Sequence, residues 1–451
     1  MKQRTRVVLT ATATATALVL AGCAGAGGGG GDGGSGEESI NVLMVGNPQM
    51  EDIQKLTADN FTKTSGVKVN FTILPENELR DKVTQDVATQ GGQYDVVTIG
   101  AYEARIWAAN DWLHELDSYT GNDANYAKDD LLEPMVKSLQ GDDGKLYAAP
   151  FYGESSFLMY RKDLFDKAGL KMPERPTWTQ VQEFAKALNS KGTAGICLRG
   201  LPGWGEIFAP LTTVVNTYGG TWFTKDWKAQ VNSSEFTAAT KFYVDLIRNY
   251  GEDGASQAGF TECLNTFGQG KAAMWYDATS AAGLLEDAKT SKVAGKVGYV
   301  HAPVEKTKAS GWLWTWAFAM PKTTKKADAA WKFMSWATSK DYEKLVGEKL
   351  GWSRVPSGKR ASTYELPEYK KEAAAFGAVT LASIEEADPT NPGVQERPTV
   401  GVQFVTIPEF ADLGTKVSQE VSSAIAGKTT VDKALADGQK LAEQVAAKYP
   451  K

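Results

Sequence analysis

Between residues 40 and 99 the hydrophobic period changes at each step along the chain, and this alternation restricts the fold more than any other feature of the 451 residues. Ile40 to Val45 reads as a buried strand, and Ile53, Leu56, Asn60 and Phe61 then recur at helical spacing. Val67, Val69, Phe71 and Ile73 alternate with period two. Leu79, Val83 and Val87 mark a second helix ended by Gly91-Gly92, and Asp95 to Ile99 forms a third strand. Strands separated by helices pair through crossovers, so the pattern predicts an α/β fold on a parallel, doubly wound sheet. Ligands of such sheets bind outside the carboxyl ends of the strands. Here those ends are Gly46-Asn47-Pro48-Gln49, Leu74-Pro75-Glu76 and Gly100-Ala101-Tyr102-Glu103. Gly, Asn and Pro also suit plain turns. Glu76 is read as turn chemistry, Asn47 and Glu103 as functional.

At this length one core does not suffice, and two lobes would leave a cleft between them. Lys145 to Glu154 leads into a strand at Ser155 to Tyr160, read as a crossing into a second lobe. Thr177 and Gln180 form a capping box for a helix with Val181, Phe184 and Leu188 inside. A strand is expected over 195–198, with helices over 207–218, 235–249 and around Cys263. The strand 272–276 would end at Asp277. A short helix near Leu284 and Leu285 precedes strands over 297–302 and 314–320. The remainder reads as helical, with Trp331, Phe333, Met334 and Trp336 on one buried face. Val431, Leu435, Leu441 and Val445 mark a last amphipathic helix, expected to pack on the second lobe.

The first 22 residues read as an export signal. Lys2, Arg4 and Arg6 precede an apolar run from Val7 to Leu20, too short to be retained as a spanning helix. Leu20-Ala-Gly-Cys23 resembles the lipobox of bacterial lipoproteins, which implies cleavage before Cys23 and its lipidation. Residues 23–37 are a Gly-rich flexible linker, so the folded part would be tethered to a membrane surface yet free to reorient. Removing residues 1–22 takes the formal charge from −5 to −8, a poor balance for binding nucleic acid. Cys197 and Cys263 are then the remaining cysteines, and an exported chain is expected to pair them.

Cys197-Leu-Arg-Gly-Leu-Pro-Gly-Trp-Gly-Glu206 and Met274-Trp275-Tyr276-Asp277 carry the chemistry expected of the cleft. An indole stacks on the C–H face of a carbohydrate, while Arg199, Glu206 and Asp277 can fork hydrogen bonds to neighbouring hydroxyls. Trp204 and Trp275 are equally compatible with core positions. The 13 tryptophans and 16 tyrosines favour a carbohydrate surface.

With these stretches in hand, the chain resembles the extracellular solute-binding proteins of ABC-type sugar importers, the group with a maltodextrin-binding-like fold. Carrying the likeness are the lipobox, Asn47-Pro48, Tyr94-Asp95-Val96-Val97, Tyr147-Ala148-Ala149-Pro150, Met159-Tyr160-Arg161-Lys162-Asp163 and Gly270-Lys271-Ala272-Ala273-Met274. The stretch 197–206, with Asn216-Thr-Tyr-Gly-Gly220, is most similar to the sorbitol- and mannitol-binding members. The resemblance implies a two-lobed periplasmic-binding-protein-like fold with a central ligand cleft and a three-crossing hinge. It implies an N-terminal lobe of 38–150 plus 278–322 and a C-terminal lobe of 151–277 plus 323–451. It also implies a ligand set of Asn47, Tyr102, Glu103, Tyr152, Glu154, Arg199, Trp204, Glu206, Trp275 and Asp277, with Trp314 and Arg354 closing the ring. The tail around Gly351-Trp-Ser-Arg-Val-Pro356 departs from the commoner family spelling. Implied partners are a polyol or sugar, the permease subunits of an ABC transporter, and a membrane through the anchor, with the protein a monomer.

A surface glycoside hydrolase using two of Glu103, Glu154, Glu206 and Asp277 is the rival from another class, and an adhesin-like protein would explain the anchor alone. No metal or cofactor is expected: His114 and His301 are the only histidines, and no phosphate-cradling glycine motif opens a helix.

Overall fold

The computed structural model describes residues 38–450. The expected signal peptide, the lipidation site Cys23 and the linker to residue 37 lie outside the described residues. Among the described residues, eight strands fall in two sheets: β1 (Ser39–Val45), β2 (Lys68–Leu74), β3 (Val96–Ile99), β4 (Ala149–Glu154), β5 (Ser156–Arg161), β6 (Met274–Ala278), β7 (Val297–His301) and β8 (Trp314–Ala319). The first sheet has the order β2-β1-β3-β8-β4 and the second β6-β5-β7. β1 runs parallel to both β2 and β3, as the alternating pattern requires. Its residues from Val42 to Val45 are buried, as expected of a central strand covered on both faces.

The sheets are mixed rather than wholly parallel. β8 is antiparallel to β3 and β4, and β5 pairs antiparallel with both β6 and β7. The chain enters β8 from the other sheet, so no βαβ crossover dictates its direction. Ser155, fully buried, is the single residue separating β4 from β5, and there the chain passes from one sheet to the other.

Two packings bear on the expected lobe boundaries. Val297–His301 was expected with 278–322 on the side of the first sheet, but it pairs with β5, placing His301 opposite Phe157. Residues from 323 onward were expected on the other side, but the helix Ala327–Ala337 packs on β1 and β4. Phe333 on this helix meets Phe61, Phe71 and Phe318, with ring centres 5.6, 5.9 and 5.7 Å away. In both cases the sequence pattern identifies an apolar face but not the surface that covers it.

The capping box forms as read: Thr177 Oγ1 accepts the Gln180 N–H at 3.1 Å, and Gln180 Oε1 accepts the Thr177 N–H at 2.9 Å. The expected strand 195–198 shrinks to isolated bridges, Ala194 with Ala272 and Cys197 with Trp275. Gly195 lies so close to the helix Trp178–Leu188 that a Cβ would stand 2.2 Å from the Ala185 carbonyl oxygen. The helix Phe260–Gly268 brings Cys263 to Cys197, and the two are disulfide-bonded across a sequence separation of 66 residues. Closing such a loop stabilises the fold by at most about 4 kcal/mol on the chain-entropy account. The bond also fixes the start of the 197–206 stretch beside β6. The helices Phe410–Ile425 and Val431–Ala446 pack on one another and on Ser234–Tyr250.

Candidate ligand-binding site

The carboxyl ends of β1 and β2 deliver Asn47 and Glu76. Asn47 precedes the helix Pro48–Thr57, yet its side chain makes no capping bond. Its amide instead donates to Tyr152 Oη at 2.8 Å. Glu76 opens the helix Glu76–Ala88, and Arg80 stands one turn later on the same face. Arg80 donates to Glu76 Oε1 at 2.9 Å and, through its other terminal nitrogen, to Glu103. The second oxygen of Glu103 accepts the Gly100 N–H at 2.9 Å. So held, the Arg80 guanidinium lies 4.2 Å from the ring centre of Trp204 and 5.0 Å from those of Trp314 and Trp316. Gly100 makes room for this: a Cβ there would stand 1.8 Å from the Trp314 ring.

Arg199 is held in the same manner from the other side. Asp277 accepts from its Nε at 2.9 Å and its Nη2 at 2.6 Å, a bidentate pair, while Nη1 donates to the Gly205 carbonyl at 3.2 Å. Glu206 lies 3.4 Å from Nη1. Asp277 is fully buried and also accepts from Trp275 Nε1 at 3.1 Å. The guanidinium lies over the rings of Phe260 and Trp312, at 5.4 and 5.7 Å.

Between the two arginines is a small cavity of about 30 Å³. Asn47, Tyr152, Glu154, Arg199, Trp204 and Trp314 line it, so these expected residues come together. Tyr102, Glu103, Glu206, Trp275, Asp277 and Arg354 are not among its lining residues. Five of them stand behind those that are. The Tyr102 ring backs Trp204 at 4.5 Å, Glu103 holds Arg80, and Glu206 and Asp277 hold Arg199. Trp275 packs against Phe260 and Phe267 and orients Asp277. Arg354 is bound elsewhere, donating to Asp52 at 2.6 Å and lying 3.5 Å from Asp287.

Sequence reasoning missed Glu76, Arg80, Phe260, Trp312, Trp316, Ser280 and Gln403, all of which line the cavity. Two signals were legible: Glu76 and Arg80 are spaced as a helical ion pair, and Trp312-Leu-Trp314-Thr-Trp316 places three indoles on one face by period two. Glu76 is therefore not plain turn chemistry.

Residues 47–344 match the family described as bacterial extracellular solute-binding protein. The chain belongs to that family. It is 44% identical over 421 residues to the mannitol-binding protein of Pseudomonas aeruginosa, covering 92% of this chain and 95% of that one. A solute-binding protein of an ABC transporter from Agrobacterium vitis S4, solved with bound D-mannitol, superposes with a TM-score of 0.89 at 50% identity, covering 92% of this chain and all of that one. One from Agrobacterium radiobacter K84 in complex with ribitol gives 0.80 at 25% identity, covering 90% and 98%. The fold is thus the mixed α/β fold of periplasmic binding proteins, and this solute-binding protein is not an enzyme, which removes the glycoside hydrolase reading. The family match ends at residue 344, so Gln403 lies beyond it.

The electrostatics of the site follow from burial. Glu154 accepts from Ser280 Oγ at 2.5 Å, and burial pushes its carboxyl up to about 8, against the opposing pull of that hydrogen bond and of Arg199. Burial, followed by the charge of Glu76, raises Glu206 in the same direction. A raised acid favours the folded state most below its unfolded value near 4.5, and this contribution is lost as pH climbs through the folded value. The unliganded solute-binding protein is therefore expected to melt several degrees lower at pH 9 than at pH 6, with Glu154→Gln flattening the decline. Melting scans across that range check this, and an identical slope in both proteins would refute the assignment to Glu154.

Asp277→Ala leaves a buried guanidinium without its bidentate partner, a loss of about 3–5 kcal/mol. Denaturant unfolding without ligand is expected to detect it. A stable variant with impaired binding would instead mean that Asp277 acts on the ligand directly.

Proposed function

We propose that this solute-binding protein captures a linear alditol, mannitol or a related hexitol or pentitol, between two closing lobes and hands it to an ABC-type permease from a lipid anchor at Cys23. One lobe surrounds the five-stranded sheet and includes the helix Ala327–Ala337; the other surrounds the three-stranded sheet. The chain crosses between them at Ser155, between β7 and β8, and a third time beyond Leu350, and these crossings form the hinge.

The observation that carries the reading is the state of the cavity's charges. Arg80 and Arg199 already hold carboxylates, so an anionic ligand has no free cation to claim, and a neutral polyhydroxylated one can hydrogen-bond the remaining lone pairs and N–H groups. Trp204, Trp312, Trp314 and Trp316 offer indoles to its C–H edge. Support for an alditol in particular comes from the similarity to the mannitol-binding relative and to the mannitol- and ribitol-bound structures. An extended chain presents hydroxyls along a narrow body to both arginine clusters. A pyranose is wider and would hold the lobes apart, lowering the differential affinity that drives closure. Ligand touching both lobes favours the closed form, the form offered to the permease.

Calorimetric titration with mannitol, sorbitol, arabitol, glucose and maltose tests the ligand. Tightest binding is expected among the alditols; tighter binding of glucose or maltose than of every alditol would replace the polyol with a cyclic sugar. For the anchor, the wild-type protein expressed in a bacterium is expected in the membrane fraction and Cys23→Ser in the soluble exported fraction. Equal partitioning of the two would exclude lipidation at Cys23.

A further inference from the structure

The side chains lining the cavity satisfy one another with few exceptions. Asn47 is bonded to Tyr152, Glu76 to Arg80, Glu154 to Ser280 and Arg199 to Asp277. Among the described residues that line the cavity, two carry a buried side-chain atom without a hydrogen-bond partner, Gln403 Oε1 and Trp312 Nε1. Gln403 is only 4% exposed. A buried amide oxygen without a partner is costly, and such groups are rare unless something else fills the bond.

The backbone that carries Gln403 is firmly held. It belongs to the segment 387–409, which contains neither helix nor strand. The Val402 carbonyl on one side accepts from Asn216 Nδ2 at 2.9 Å, and Arg397 donates to Asn216 Oδ1 at 2.7 Å and to the Gly401 carbonyl at 3.0 Å. On the other side the Phe404 ring packs 5.6 Å from both Tyr102 and Trp314, and Tyr102 Oη donates to the Ile407 carbonyl at 2.8 Å. The backbone on both sides of Gln403 is thus fixed, while its amide oxygen has no partner within the protein.

Resting on the alditol reading above, we infer that Gln403 determines specificity by accepting a hydrogen bond from one hydroxyl of the bound alditol. The arginines of the cavity are already engaged with carboxylates and Glu154 with Ser280. The neutral amide has one free acceptor at a fixed place, so it reports whether a hydroxyl stands there. An analogue lacking that hydroxyl leaves the oxygen buried and unpaired again.

The test uses the full exported chain and its Gln403→Leu variant, an apolar replacement of similar length. Unliganded melting temperatures and calorimetric titrations with mannitol and its monodeoxy isomers are measured for both. Removing an unpaired buried oxygen is expected to leave the unliganded melting temperature unchanged or raise it, while weakening mannitol about 10-fold or more. One monodeoxy isomer is expected to bind both proteins equally, the mark of a single lost hydrogen bond. An unchanged mannitol Kd would overturn the inference. So would a fall of several degrees in the unliganded melting temperature, which would make Gln403 a structural residue. If the wild type binds no alditol at all, the alditol reading fails by itself, and the melting comparison decides the role of Gln403.

Discussion

Two buried guanidinium groups set the terms for the rest of this molecule. A charge removed from water is destabilising by several kcal/mol unless partners of the right geometry surround it. Arg80 meets this with Glu76 and Glu103, and Arg199 with Asp277 and Glu206. The carboxylates come from separate parts of the chain: a helix start after β2, a helix start after β3, the loop before Phe208–Tyr218, and the interior of β6. The Arg80–Glu103 and Arg199–Asp277 pairs therefore tie elements that are separate in sequence, and the site is held in shape before a ligand arrives. Preorganisation of this kind lowers the ordering cost of binding.

The aromatic side chains solve the remaining problem, which is to cover the guanidinium faces. Trp204, Trp314 and Trp316 surround Arg80, and Phe260 and Trp312 cover Arg199. Trp204 is carried by the loop that begins at the disulfide, whereas Arg80 belongs to a helix of the first sheet, so this contact joins the two halves of the cavity. Asn77 Nδ2 adds a bond to the Pro202 carbonyl at 3.0 Å. These contacts are modest, and solvent can replace them.

Several expected ligand residues turned out to be supports, for a simple geometric reason. Asp277 follows Trp275 and Tyr276 on a strand, and a sequence reader sees an acid at the end of an apolar run. Its carboxylate is consumed by Arg199, 78 residues away along the chain. Tyr102 and Glu103 open the helix after β3, as the strand-end rule anticipates, but Trp204 and Arg80 stand between them and the cavity. The rule finds the right neighbourhood and does not rank the layers within it.

The order of strands and helices over residues 40–99, the parallel core of β1, β2 and β3, the capping box at Thr177 and the pairing of Cys197 with Cys263 were all decided by the sequence, because each rests on local periodicity or on a choice between very few partners. Membership of the solute-binding family was legible too, from short motifs spread along the chain. The tertiary structure alone decided which sheet receives β7, what covers the helix Ala327–Ala337, and which side chains reach the cavity rather than stand behind it. Those outcomes depend on contacts between residues far apart in the chain, where one apolar or charged surface has several possible partners and only the packed whole selects among them. Gln403 is the extreme case: nothing around it in the sequence marks it, and its position follows from a segment without regular structure being pinned between Asn216 and Tyr102.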